Sequence, residues 1–217
     1  MRQHFISTAS LQQERSLRKA VYESQNEKLK YNTLLSEGEE AGVQFPILQP
    51  MANTANAESP LVFTTIVTKG NPDAERNYAL YKEKVKKLMA KKQIPITDEN
   101  FQTILLEGKD SMNEQLGLFE SLIQTIHPKD QIQACLTFGN KPNIVTLHMA
   151  LEYARLCIEG VEIENFVYGR YPHFNEERNA EIYDYSAMVY MSSLVNQMVE
   201  MKIKNPGQII RSILGGE

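Results

Sequence analysis

A short polar turn between two apolar stretches contains the residue types that bind phosphate. The turn Thr137-Phe138-Gly139-Asn140-Lys141-Pro142 follows an apolar segment and precedes Asn143–Cys157, where apolar residues recur at helical spacing. It therefore offers a hydroxyl, a glycine, an amide and a lysine at the point where a helix begins. Because the free N–H groups and the positive dipole end of a helix both favour an anion, this stretch predicts a phosphate-binding site.

The elements around this turn predict an α/β protein. Gln3–Ala9, Leu61–Thr68, Phe101–Leu106 and Val161–Tyr168 have strand character, and strands alternate with helices from Leu61 onward. The predicted fold is a doubly wound, Rossmann-like, mostly parallel sheet with helices on both faces, an early β-hairpin insertion and C-terminal helices.

Ligands of such sheets bind beyond the carboxyl ends of the strands, so the polar residues there are the candidate site. A hydroxyl-rich loop follows the first strand, and an aromatic residue ends the last. Tyr171 is a second aromatic candidate for stacking on a base. The predicted ligand-binding residues are Ser7, Thr8, Ala9, Ser10, Thr68, Lys69, Thr137, Phe138, Gly139, Asn140, Lys141, Pro142 and Tyr168.

The rest of the chain divides into a ligand-binding domain, residues 1–178, and a C-terminal helical segment, residues 179–217. Two short aromatic-bearing stretches around a polar turn predict the β-hairpin at about residues 20–33. Gln49–Pro60 is small, polar and bounded by prolines, which favours a loop. Asn179–Lys202 is predicted to be one long helix, suited to dimer contacts or to a link with an effector beyond Glu217.

Composition and absent motifs exclude several functions. The net charge of −4 over 217 residues provides no general basic field, so we expect no long nucleic acid as partner. No stretch has the length of a membrane span, and Cys135 and Cys157 lie in apolar runs as expected for reduced thiols, so we expect a cytoplasmic protein. The chain lacks GxGxxG, GxxxxGK[ST], GxSxG and metal-ligand spacings, so we expect no cofactor and no metal.

The residues of the turn resemble a known motif. Thr137-Phe138-Gly139-Asn140-Lys141-Pro142, between a buried strand and a helix, is similar to the T-x-G-x-K-P motif of CARF domains, the CRISPR-associated Rossmann-fold sensors of type III systems. Ser7-Thr8-Ala9-Ser10 is similar to the second ligand loop of that family. Phe166-Val167-Tyr168-Gly169 and the predicted insertion at residues 20–33 also resemble features of some members.

This resemblance implies a homodimer that binds one cyclic oligoadenylate, with cyclic tetra-adenylate as the expected ring, and that controls an effector absent from this chain or lying beyond it. Lys141 and the backbone around Gly139 would bind phosphates, and Tyr168 would stack on adenine. The hydroxyls of Ser7, Thr8, Ser10 and Thr137 would hydrogen-bond the ring.

Two alternatives remain open at the level of sequence. The first is a metal-independent ring nuclease, in which a ribose 2′-hydroxyl attacks its adjacent phosphate and leaves 2′,3′-cyclic phosphate products. Ser10 and Lys141 would be the catalytic candidates, acting by positioning and charge stabilisation. The second is an unrelated Rossmann-like enzyme that binds a nucleotide or a sugar phosphate.

Overall fold

The computed structural model describes residues 1–38, 40–172 and 179–214 of the chain. Short 3₁₀ turns lie at Glu14–Ser16, Glu27–Leu29, Thr33–Leu35 and Asp98–Asn100. The strands and helices, in chain order, are β1 (Arg2–Thr8), α1 (Leu48–Thr54), β2 (Leu61–Thr68), α2 (Pro72–Lys91), β3 (Phe101–Leu106), α3 (Met112–Thr125), β4 (Asp130–Cys135), α4 (Lys141–Cys157), β5 (Glu162–Arg170), β6 (Glu181–Asp184), α5 (Ser186–Glu200) and α6 (Pro206–Leu214).

The strands form one sheet in the order β3-β2-β1-β4-β5-β6. The first five strands of the chain are parallel, and β6 is antiparallel to β5. The chain winds outward from β1 to β3 and then returns, placing β4 on the other side of β1. The winding direction therefore reverses between β1 and β4, which is where sheets of this kind bind ligands. The predicted α/β class is confirmed.

Both faces of the sheet are covered by helices. Phe5 and Ile6 are consecutive in β1 and belong to separate apolar cores because successive side chains of a strand point to opposite faces. The core around Phe5 includes α1, α2 and the segment between β1 and α1, whereas the core around Ile6 includes α3, α4 and α5. β1 is thus buried on both faces, and only its carboxyl end can reach a ligand.

The predicted β-hairpin at residues 20–33 is wrong. Its two halves do not pair as strands, and several of its backbone groups bond to partners far away in sequence. The buried amide of Gln49 accepts from the N–H of Tyr22 at 3.0 Å and donates to the carbonyls of Tyr22 and Leu29 at 3.0 and 2.7 Å. Asn26 starts a 3₁₀ turn by accepting from the N–H of Lys28. The whole segment between β1 and α1 is irregular, and we call it the cap. Gln49 belongs to α1, where a loop was predicted.

The single C-terminal helix predicted over Asn179–Lys202 is also only partly correct. Glu181–Asp184 forms β6 on the edge of β5, in register with Arg170 opposite Glu181, and α5 begins at Ser186. The Asp184 carboxylate accepts from the N–H of Ser186 at 2.9 Å, which favours a helix start there. The final helix is found as α6. Residues 173–178, which include the predicted domain boundary, lie outside the described residues.

Candidate ligand-binding site

The two loops that flank the reversal point touch each other. Gly139, in the loop after β4, has a φ of +105°, and a Cβ there would come within 3.0 Å of the Thr8 Cγ2 at the end of β1. Only glycine combines that backbone conformation with that close approach at low cost. The structure therefore brings together two of the predicted ligand segments, residues 7–10 and 137–142.

Helix α4 begins directly beside this contact. Asn140 is its N-cap, and its side chain accepts from the N–H of Asn143 at 3.2 Å. Asn140 also donates to the carboxylate of Asp110, from the loop after β3. Lys141 is the first helical residue and its side chain is exposed, whereas Pro142 has no N–H to offer. Lys141 and the backbone that precedes it are therefore the groups on this end of the helix that can meet an anion.

Thr137 connects the β4 loop to the end of β5. Its hydroxyl oxygen accepts from the N–H of Gly169 at 2.8 Å and from the Cys135 thiol at 3.2 Å. Burial raises the pKa of Cys135, which keeps the thiol protonated as that donor. A hydroxyl has two acceptor positions and one proton, so both bonds leave the Thr137 O–H able to donate to a ligand.

The residues at the end of β1 are more enclosed than the sequence suggests. Ser7, Thr8 and Ala9 line a cavity of only about 10 Å³ beneath Phe138. Ser10 is fully buried, its hydroxyl accepts from the N–H of Gln12 at 3.2 Å, and its carbonyl accepts from Asn77. The Ser10 side chain thus stabilises its own loop and does not reach the surface of the site.

Thr68 and Lys69 lie on the same edge of the sheet but point toward β3. Lys69 Nζ lies 3.2 Å from Glu107 Oε1, and the Thr68 methyl group lies close to Gly108. Their contacts are with the β3 loop, whereas the Thr8–Gly139 contact is on the β4 side of β1. The structure therefore does not bring these two residues into the cluster formed by the other predicted segments.

A cavity of about 400 Å³ opens next to Thr137. Three predicted ligand residues, Thr137, Phe138 and Tyr168, line it. The other described residues that line it are Gln12, Ser16, Leu17, Arg18, Tyr22, Gln44, Gly169, Tyr171 and Pro172. Apart from Gly169 and Tyr171, these were missed at the sequence level. Most of these belong to the cap between β1 and α1, whose sequence has no motif or periodicity that would place it over the end of β5.

A second, apolar cavity of about 490 Å³ adjoins the first one. Tyr168 lines both cavities, and its ring lies edge-on to Tyr185 at a centroid distance of 6.4 Å. The other lining residues come from α4, its preceding loop, β5 and α5, and include Val145, Phe166 and Met188. His148, also in this wall, lies with Nε2 3.2 Å from the carbonyl oxygen of Met188.

Neither a metal centre nor a membrane helix is found in the part of the chain that the structure describes. No group of three or more His, Cys, Asp or Glu side chains there is arranged to hold a metal ion. Across the same residues, no helix combines the length and apolarity needed to cross a bilayer.

The chain was also compared with known proteins. No protein-family model matches it, and no curated protein is significantly similar to it in sequence.

Proposed function

We propose that this chain is a CARF-type sensor of type III CRISPR signalling that binds a cyclic oligoadenylate, with cyclic tetra-adenylate as the expected ring. The observation that carries the proposal is the contact between Gly139 and Thr8. It joins two strand-end loops at the reversal point of a doubly wound sheet. We call the surface formed by these loops, residues 7–10 and 137–142, the floor; it lies beside the first turn of α4. The resemblance in residues 7–10 and 137–142 falls on those same two loops.

The chemistry of this floor suits phosphodiesters. Lys141 supplies an exposed positive charge, the backbone up to Lys141 supplies N–H donors, and the Thr137 hydroxyl supplies a proton whose direction is set by two accepted hydrogen bonds. Gly139 presents no side chain, so a phosphate can come close to the backbone.

An exposed apolar surface supports a homodimer. Val145, Met149 and Leu156 on α4 are each more than half exposed, and Met188 and Val199 on α5 are also exposed. Apolar side chains clustered on two neighbouring helices are typical of an interface. A two-fold axis beside α4 would place two copies of the floor around one ring, which matches the symmetry of a cyclic tetra-adenylate. The signal would pass to an effector that is absent or lies beyond this chain.

The test is incubation of the protein with labelled cyclic tetra-adenylate and cyclic hexa-adenylate in EDTA, with linear tetra-adenylate as control. We expect tight binding of a ring at one ring per two chains by analytical ultracentrifugation, weaker binding of the linear form, and intact ligand on chromatography. Accumulation of 2′,3′-cyclic phosphate products would instead identify a ring nuclease. If dimeric protein bound neither ring, the sensor proposal would be wrong. An unrelated Rossmann-like enzyme that binds a nucleotide or a sugar phosphate would then be the better explanation of the site.

A further inference from the structure

We infer that the 400 Å³ cavity is a subsite for a single adenosine-phosphate unit of the ligand, and that the cap between β1 and α1 selects adenine there. The inference rests on the proposed function for the identity of the whole ligand. The volume is at the lower end of that found for small-molecule pockets, and therefore suits one nucleotide better than a whole ring.

The cavity has aromatic surface for a base. Tyr22, Tyr168 and Tyr171 all line it, and base stacking on aromatic rings contributes about 1–3 kcal/mol per base. Burial, with smaller effects of Cys135, Tyr171 and Tyr168, raises the pKa of Tyr22 above its ordinary value, so its phenol stays neutral.

Two side-chain amides line the same cavity and can identify the base. Gln12 and Gln44 each carry a donor and an acceptor, the pair that matches the adjacent N6 amino group and ring nitrogen of adenine. The backbone of Gln12 is held in place by three hydrogen bonds: its N–H donates to Ser10, and its carbonyl accepts from Asn77 at 2.8 Å and from Arg76 at 3.2 Å. This gives the buried Ser10 hydroxyl a role in positioning Gln12.

Arg18 and Thr137 provide donors for the phosphate. Both line the cavity, and the Arg18 guanidinium lies 5.8 Å from the centre of the Tyr171 ring. A guanidinium can bind a phosphate through two parallel hydrogen bonds while its flat face rests on an aromatic ring. Arg18 and Tyr171 therefore form one edge of the subsite, and the Thr137 O–H points to the anion from the β4 loop.

The cap that carries these residues is fixed to the sheet. Glu23 exchanges backbone hydrogen bonds with Ala180 and with Ile182 of β6 at 2.8 and 2.9 Å. Within the cap, Ala20 and Val43 exchange backbone hydrogen bonds at 3.0 and 2.8 Å. At Gly169 a Cβ would collide with Pro46 and would lie 3.0 Å from the Tyr22 ring, so the absence of a side chain lets the cap rest directly on β5. Contacts within one chain therefore hold the wall that the cap contributes to this cavity.

The test measures adenosine 5′-monophosphate binding by calorimetry, with guanosine 5′-monophosphate and inorganic phosphate as competing probes. We expect binding of the adenine nucleotide and at least about tenfold weaker binding of the other two. Arg18→Ala should weaken adenosine monophosphate binding at least about tenfold, because a charge-assisted contact is lost. Tyr171→Leu should weaken it several-fold through lost stacking.

Two control variants keep the test specific. Arg15→Ala removes the same charge from the same segment, at an exposed residue that bonds to Gln13 outside the cavity, and should change affinity less than twofold. Tyr183→Leu removes a tyrosine of similar exposure from β6 and should also be neutral. Equal losses for Arg18→Ala and Arg15→Ala, or equal affinity for the adenine and guanine nucleotides, would overturn the inference.

The same variants separate this inference from the sensor proposal. If cyclic tetra-adenylate binds and Lys141→Ala weakens it while Arg18→Ala does not, the sensor proposal stands and the subsite is wrong. If adenosine monophosphate binds in an Arg18-dependent manner but no ring binds, the subsite stands and the sensor proposal is wrong.

Discussion

At the reversal point, some residues are placed where a ligand could contact them and others support the loops. Lys141 is exposed at the first position of α4, whereas Ser10 is enclosed and holds Gln12. Both were candidates for contact with the ligand because sequence shows residue type and spacing but not exposure. The motif around Gly139 predicted which loop would bind the ligand, whereas the exposure of each residue could be seen only in the structure.

Replacing Lys141 by alanine should weaken binding of cyclic tetra-adenylate by about 1.5–3 kcal/mol, the usual contribution of a hydrogen bond to a charged group. Calorimetry on the dimeric protein measures this change. Lys28→Ala is the matched control, since Lys28 is an exposed lysine on the 3₁₀ turn that packs against α1. An unchanged affinity in the Lys141 variant would remove this residue from the phosphate site.

Thr137→Val keeps the shape of the side chain but removes the acceptor of the buried Gly169 N–H, so it should lower the free energy of unfolding by about 1–3 kcal/mol. Urea unfolding monitored by circular dichroism gives this value. Thr137→Ser retains the oxygen and should lose much less stability. Equal losses in the two variants would mean that packing of the methyl group, and not the hydrogen bond, connects the β4 loop to β5.

At the scale of elements, the strand signal was clearest in the sheet interior. Leu61–Thr68 matches β2, between β1 and β3, because a β-branched apolar run bounded by polar turns has few other stable conformations. Phe101–Leu106 also matches its strand, although β3 lies at the edge of the sheet and is partly exposed. The cap was not predictable, because its backbone is satisfied by partners distant in sequence, among them the buried Gln49 side chain. β6 was missed for a related reason, since a four-residue edge strand depends on its neighbour and has little local signal.

Gln49→Leu should therefore destabilise the protein by about 2–4 kcal/mol, because it leaves the N–H and carbonyl of Tyr22 and the carbonyl of Leu29 without their partner in a buried site. Asn53→Leu is the control from the same helix. Asn53 donates to the carbonyls of Lys28 and Lys30, but it is exposed, so water can replace it at a cost below about 1 kcal/mol.

Comparable urea-unfolding midpoints for Gln49→Leu and Asn53→Leu would show that the buried amide does not hold the cap. Adenosine monophosphate affinity is a second readout, because loss of the cap removes the wall formed by Arg18, Tyr22 and Gln44.

At the scale of the whole molecule, the two ends of the parallel strands differ in chemistry. The carboxyl ends carry the candidate site, and the amino ends carry a buried ionic cluster. Arg2 Nε donates to Asp130 at 2.8 Å, His4 Nδ1 lies 3.5 Å from the same carboxylate, and His4 Nε2 lies 2.7 Å from the hydroxyl oxygen of Thr64. This cluster joins β1, β2 and β4 at the edge away from the ligand.

Stability should fall as the pH drops below about 6.5. Burial lowers the pKa of His4 beneath its ordinary 6.5, against the opposing effect of Asp130, so the unfolded chain takes up a proton that the folded protein does not. Above that pH His4 is neutral in both states and contributes no pH dependence. A second loss of stability begins as the pH falls below about 3.8. Burial alone would raise the pKa of Asp130, but its interactions with His4, Arg2 and the His127 N–H outweigh burial and hold that pKa below its ordinary value.

Urea unfolding of the wild type at pH 7.5, 6.0 and 5.0 measures the His4 effect. His4→Gln should be less stable at pH 7.5 but should lose less further stability toward pH 5.0, whereas His127→Gln, at an exposed position, should retain the wild-type pH dependence. A wild-type slope that survives unchanged in His4→Gln would assign the effect to another group.

Tyr168 forms part of the wall of both the polar and the apolar cavity, so one side chain separates the two. A nucleotide in the polar cavity and a protein surface against the apolar one would each favour particular rotamers of the same ring. Their binding free energies are then coupled, and the coupling acts equally in both directions. Because the chain contains no tryptophan, a single Tyr168→Trp substitution would introduce one fluorophore at this partition, able to report occupancy from either side.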